Sequence, residues 1–219
     1  MSTTQSPPSH APLHHALELL ERAIGYTRVQ LQVITPAMLC RPTPCVDWAL
    51  GELLDHMAEG LEALTEAADL GEVALLAPID PRASGSSVDA VDRLRERACS
   101  LLGAWSTVAQ DDDVTVGDQA LSSSLLACAG ALEVAVHGWD VSQATGAREP
   151  IPAALARDLL TWADVLVTDD DRPHGDRPHG DRPHDDRPHD DRPSRFDHPV
   201  EGPSVGPSSR LLRLLGREP

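Results

Sequence analysis

Apolar residues recur at helical spacing along most of the chain. In HHALELLERAIGYTRVQLQVI, residues 14–34, Leu17, Leu20, Ala23, Ile24, Val29 and Leu31 fall close to one face and Pro36 closes the segment, so the pattern predicts a first helix. After the proline-containing stretch RPTPCVD, Leu50, Leu53, Leu54, Met57, Leu61, Leu64 and Ala68 step by three or four, with Asp47 as a candidate N-cap. A third helix is expected from Ser87 or Asp89 through VDRLRERACSLLGAWSTV, after the loop PIDPRASGSS. Asp111–Asp113 and the short VTV piece read as a connection. Ser122–Ser124 then offer caps for a fourth helix that runs to about Ala144, with Gly146 as its stop. Pro152 opens a fifth helix, AALARDLLTWADVLV, and a short apolar helix returns at Leu211–Leu215.

The fourth helix departs from amphipathic patterning. From Leu125 to Val136 it reads LLACAGALEVAV, and Glu133 is the one charge in that run. A helix apolar on nearly all faces is expected to be buried. A carboxylate there needs a strong partner, because taking its charge out of water costs several kcal/mol.

Composition narrows the fold class. Aromatic residues make up 3% of the 219, so the core has to be built from Leu, Val and Ala, which favours an all-α protein. There is no lysine, and all 18 basic residues are arginine. Residues 1–168 carry 23 acidic and 9 basic side chains, a net charge of −14, which argues against binding to nucleic acid or anionic membrane surfaces. The N-terminal MSTTQSPPSHAPLHH lacks the basic start and apolar stretch of a signal peptide, and no apolar run approaches the ~20 residues of a membrane span. The expected location is cytoplasmic. Cys40, Cys45, Cys99 and Cys128 form no CxxC pair and read as free thiols, with Cys99 and Cys128 as small core residues.

From Asp171 the chain repeats DRPHG, DRPHG, DRPHD, DRPHD and a broken DRPS. A proline every five residues forbids a helix and nothing apolar is available to bury, so residues 169–194 are expected to be disordered. Four histidines at five-residue intervals beside nine aspartates resemble a metal reservoir, but five extended residues span about 15 Å, too far for neighbouring histidines to share an ion. The expected organisation is a helical domain over 1–168, the repeat over 169–194 and a tail with a short helix over 195–219.

Glu133 and His137 lie one helical turn apart and converge on one point, with Asp140 continuing the stripe. They are either half of a metal chelate or an ion pair. The third ligand of a chelate would be His56 in LLDHMAEG, flanked on its face by the small residues Ala49, Gly60 and Ala63. Two histidines, one carboxylate and a vacant position are the donor set of catalytic zinc sites and of non-haem iron(II) sites. His10, His14 and His15 read as solvated residues at the start of the first helix.

RPTPCVDWALGELLDHM at 41–57 together with ALEVAVHGWDVSQATG at 131–146 resembles the metal-binding domain of mycothiol-dependent maleylpyruvate isomerases, in the DinB-like superfamily. The resemblance covers roughly residues 14–168, and the ending SSRLLRLLGREP looks like that of shorter members without the second domain. It implies an antiparallel four-helix bundle with a divalent metal, usually zinc, held by His56, Glu133 and His137. It also implies mycothiol as co-substrate, its thiol held at the metal and made nucleophilic there by loss of a proton. Trp48, Trp139 and Asp140 match the motif as well; the tryptophans read as packing and Asp140 as a partner of a ligand. No arginine matches a motif for substrate carboxylates. The function expected is that of a divalent-metal-dependent thiol transferase or isomerase acting on a small electrophile. A non-catalytic metal-binding or interaction protein on the same helices is the alternative.

Overall fold

The structure, a computed structural model, describes residues 11–45, 48–73, 87–108, 110–117, 119–167 and 198–219. The DRPH repeat, His10 and Asp47 lie outside the described residues. Among the described residues six helices carry the fold: α1 (Ala11–Gln30), α2 (Leu50–Leu70), α3 (Ser87–Trp105), α4 (Ser123–Thr145), α5 (Ala153–Leu166) and α6 (Pro207–Leu214). Short 3-10 turns follow α1 at Leu31–Val33 and Pro36–Met38. The protein is mostly helical, and no described helix is long and apolar enough to cross a membrane.

The expectation of an all-α protein needs one correction. Three short strands, β1 (Glu72–Val73), β2 (Asp113–Val116) and β3 (Gln119–Ser122), form a small sheet in the order β1-β2-β3. β1 pairs parallel to β2 through Glu72↔Thr115 and Val73↔Val116, and β2 pairs antiparallel to β3. The VTV piece read as a connection is therefore the middle strand: its β-branched residues suit a pleated sheet, Val114 is buried, and Gly117 turns the chain with φ 63°.

α4 lies at the centre of the helical assembly, packed chiefly on α1 and also on α2 and α5, while α3 packs on α2 and α6 on α5. It is buried on nearly all faces, as its sequence predicts. Its small residues Ala127, Ala131 and Ala135 permit close approach of neighbours. The approach is closest at Gly138. A Cβ there would run into Thr27 Oγ1 and come within 3.2 Å of the Thr27 Cα. The Thr27 hydroxyl meanwhile donates to the Val134 carbonyl at 2.7 Å, bonding a side chain of α1 directly to the backbone of α4.

That contact explains a second difference. The buried stripe of α1 runs through Leu13, Ala16, Leu20, Ala23, Thr27 and Gln30, whereas Val29 is exposed. Leu20, Ala23 and Leu31 are buried and Leu17 and Ile24 pack partly buried against the core as expected; the polar Thr27 and Gln30 are buried where Val29 is not. The stripe of α2 is the expected one, with Ala58 and Ala67 added and Ala68 at its edge.

The helix ends follow from local chemistry. Ser122 accepts from the Leu125 N–H at 3.3 Å and Asp111 from the Ser124 N–H at 2.7 Å, capping α4 at its positive end. Gly146 closes α4 with φ 85°, and Arg41 donates to the carbonyls of Ala144 and Thr145 in its last turn. The N-cap of α2 is Ala49 rather than Asp47; the Ala49 N–H donates to Glu52 at 2.8 Å. Arg93 pairs with Asp55 and Arg97 with Glu62, tying α3 to α2. Cys128 is a core residue as expected, but Cys99 is exposed because it falls off the Ala90, Val91, Leu94, Leu101, Trp105 stripe of α3.

Candidate metal centre

The described residues before α2 bond to one another and to the start of that helix. Thr43 Oγ1 donates to the Trp48 carbonyl at 2.8 Å and accepts from the Cys45 N–H at 3.2 Å. The Leu50 N–H donates to the Arg41 carbonyl and the Gly51 N–H to that of Leu39, each at 2.9 Å. This network places the Trp48 ring against His56, centroid to centroid 4.3 Å, and 6.2 Å from His137. Trp48, read from sequence as packing, is thus a wall of the site. Trp139 is buried in the core and does pack.

His56 on α2 and the Glu133–His137 pair on α4 come together. His56 Nε2 and Glu133 Oε1 are 3.1 Å apart, and the His56 and His137 rings meet edge to face at 5.2 Å. One ligating atom from each of the three residues lies within 4.8 Å of the other two. A tetrahedral zinc with bonds of ~2.0–2.1 Å holds its donors about 3.3–3.4 Å apart, a spacing not far below that of this cluster. Gly60, one turn beyond His56, leaves open space where a Cβ would lie, consistent with the room expected there.

The burial argument for Glu133 is corrected by the fold. Its side chain retains 35% of its exposure and that of His56 33%, so this face of the helix pair opens to solvent. The deeply buried carboxylate is Asp140, at 0%, beside His137 at 3%. Asp140 Oδ2 bonds His137 Nδ1 at 3.1 Å, which leaves Nε2 as the His137 nitrogen available to His56 and Glu133.

Arg217 completes this arrangement and was not anticipated from sequence. It is 2% exposed and donates from Nε to Asp140 Oδ1 and from Nη2 to Oδ2, both at 3.1 Å. Burial alone would raise the Asp140 carboxyl, but the His137 hydrogen bond and the Arg217 charge outweigh it and hold the group below the usual carboxylate range. Glu59, on α2, is shifted the other way: burial raises its carboxyl although His56 opposes the shift.

His14 pairs with Glu18 at the surface and His15 is exposed, as expected of solvated residues. A separate cavity of about 400 Å³ opens between α1 and α3, with Leu31, Met57, Leu61, Leu94 and Val134 in its lining. None of the three clustered side chains lines it, so it is distinct from the candidate metal centre.

The sequence matches the family model of the mycothiol maleylpyruvate isomerase N-terminal domain over residues 20–142, a span that includes His56, Glu133, His137 and Asp140. Among solved structures, the crystal structure of the mycothiol-dependent maleylpyruvate isomerase is similar with a TM-score of 0.54 at 18% identity, covering 70% of each chain. A histidine-to-alanine mutant of that enzyme is similar with a TM-score of 0.53, at 18% identity and the same coverage. At that identity the likeness is one of fold. No curated protein matches the sequence significantly.

Proposed function

The chain belongs to the family of the mycothiol maleylpyruvate isomerase N-terminal domain, and from that premise we propose that it is a divalent-metal-dependent thiol transferase or isomerase using mycothiol and a small electrophilic substrate. The observation that carries the reading is the convergence of His56, Glu133 and His137 from two helices onto one point. We assign α1–α4 to a DinB-like antiparallel bundle, zinc as the ion, and residues 1–168 as the unit that carries the ligands, with the C-terminal segment packed against it through Arg217.

In this reading His56 Nε2, a Glu133 oxygen and His137 Nε2 are the protein ligands, leaving coordination space for a small molecule. A divalent ion held there would supply Lewis acidity and favour the thiolate form of a bound thiol that otherwise titrates near 8.5. The chain's own groups do the rest. His56 Nε2 and Glu133 Oε1 hydrogen-bond to each other at 3.1 Å, and holding an ion would require both to turn their lone pairs from that bond towards it. Trp48 covers one side of His56 and restricts water there. Asp140 keeps His137 turned so that Nδ1 faces the interior and Nε2 the cluster. The half-exposed Glu133 and His56 mark the side from which a thiol and an electrophile would enter.

The reading is tested by thiol-conjugation assays with mycothiol across several small electrophiles, with and without added zinc. Metal-dependent turnover that is lost in Glu133→Gln supports it. Tight metal binding with no turnover across the panel favours a non-catalytic metal-binding or interaction protein instead.

A further inference from the structure

We propose that Arg217 is a positioning residue of the metal centre: the C-terminal helix brings its guanidinium inside the fold to clamp Asp140, which in turn fixes the ring of His137. The inference rests on the metal-centre reading above for its consequence, though not for its geometry.

The local sequence explains how an arginine near the end of the chain comes to be buried. Leu211, Leu212 and Leu215 bury one side of α6 in the core. Gly216 then adopts φ 78°, and the Gly216 and Arg217 N–H groups fold back to the carbonyls of Arg213 and Leu212, at 3.1 and 2.8 Å. This is a Schellman ending, in which a left-handed glycine reverses the chain so that the next residue points back along the helix. LLGR is therefore a device for turning Arg217 inward. Its Nη1 also donates to the Leu215 carbonyl at 3.1 Å, so the guanidinium is held by its own turn while Nε and Nη2 form the fork on Asp140.

The fork gives Asp140 a fixed orientation that a single hydrogen bond would not. Asp140 Oδ2 receives Arg217 Nη2 and also meets His137 Nδ1, so the carboxylate plane set by Arg217 sets the direction of the imidazole. A buried ion pair of this kind contributes little net stability, since desolvation offsets most of its attraction. Its effect here is geometric. Without Arg217, Asp140 keeps His137 as its remaining side-chain hydrogen-bond partner, and its carboxylate is free to rotate away from the angle that aims Nε2 at His56 and Glu133.

The test compares wild type, Arg217→Gln, Arg217→Lys and, as a control for the packing of α6, Leu212→Ala. Zinc affinity is read by competition with a chromophoric chelator, and the His137 Nδ1 proton by nitrogen-resolved NMR of the metal-free protein. Loss of a group that orients a metal-ligating histidine typically weakens binding about 10–100-fold. Arg217→Gln should show that loss together with a broadened or absent Nδ1 proton signal, while retaining its helical circular dichroism. Arg217→Lys keeps the charge but cannot form the fork, and should also lose affinity. Leu212→Ala should lower the melting temperature while its folded fraction binds zinc as wild type does. Zinc affinity within about twofold of wild type in either arginine variant, or an unchanged Nδ1 signal in Arg217→Gln, overturns the proposal; the Lys variant decides if the Gln variant does not fold. Absence of zinc binding in wild type defeats the metal reading instead, and the metal-free NMR comparison still decides the role of Arg217.

Discussion

His56 and Glu133 are 77 residues apart in sequence and 3.1 Å apart in the fold. Neither is held there by deep burial, since each side chain keeps about a third of its exposure. Glu133→Gln should therefore leave the fold nearly intact, with a stability change within about 0.5 kcal/mol as for a surface position. The amide can still hydrogen-bond His56 but is a far poorer ligand, so zinc affinity should fall by at least about tenfold. Thermal melts and a chelator competition on the same preparation check both parts.

Gly138 and Gly60 should respond oppositely to alanine. At Gly138 the added methyl meets the Thr27 side chain and backbone, and overpacking of this kind costs about 1–3 kcal/mol. At Gly60 it meets nothing within 4 Å, and the gain in helix propensity should stabilise the protein by about 0.5–1 kcal/mol. Denaturant midpoints of the two variants provide the comparison; equal shifts would contradict the close approach of α1 and α4.

Cys128 is completely buried, and burial pushes its thiol up to about 12. A group raised in the folded state contributes stability that is whole below its unfolded value, near 8.5, and lost as pH rises from there through the folded value. Stability should decline between about pH 9 and 12, and Cys128→Ala should flatten that decline. Tyr26, also raised by burial, should leave a smaller slope behind in the variant. In native protein Cys40 and Cys99 should react promptly with a thiol reagent, and Cys128 only on unfolding.

Much of this arrangement was legible in local spacing. The leucine stripe of α2, the buried character of α4 and the one-turn separation of Glu133 from His137 each lie within one helix, where periodicity is informative. The pairing of His56 with them depended on a motif as well as on geometry. What escaped were relationships set by tertiary contact. Thr27 and Gln30 are polar yet buried, and Val29, expected on the buried stripe, is exposed beside them. Arg217 follows two arginine-bearing turns of a short helix and looks like a solvated residue until Gly216 reverses the chain. The site's buried carboxylate was expected at Glu133 and is found at Asp140, whose compensating cation lies 77 residues further on. VTV was too short for a strand to be recognised without its partners Glu72–Val73 and Gln119–Ser122.

The central claim is that His56, Glu133 and His137 together hold one divalent ion. Elemental analysis of the purified protein, with His56→Ala and His137→Ala prepared in parallel, tests it most directly. About one zinc-like ion per wild-type chain is expected, as a three-ligand site would hold, with marked loss from both variants and their helical content preserved. A wild-type protein without bound metal after zinc loading and desalting, or a His56→Ala variant that keeps its full complement, would contradict it.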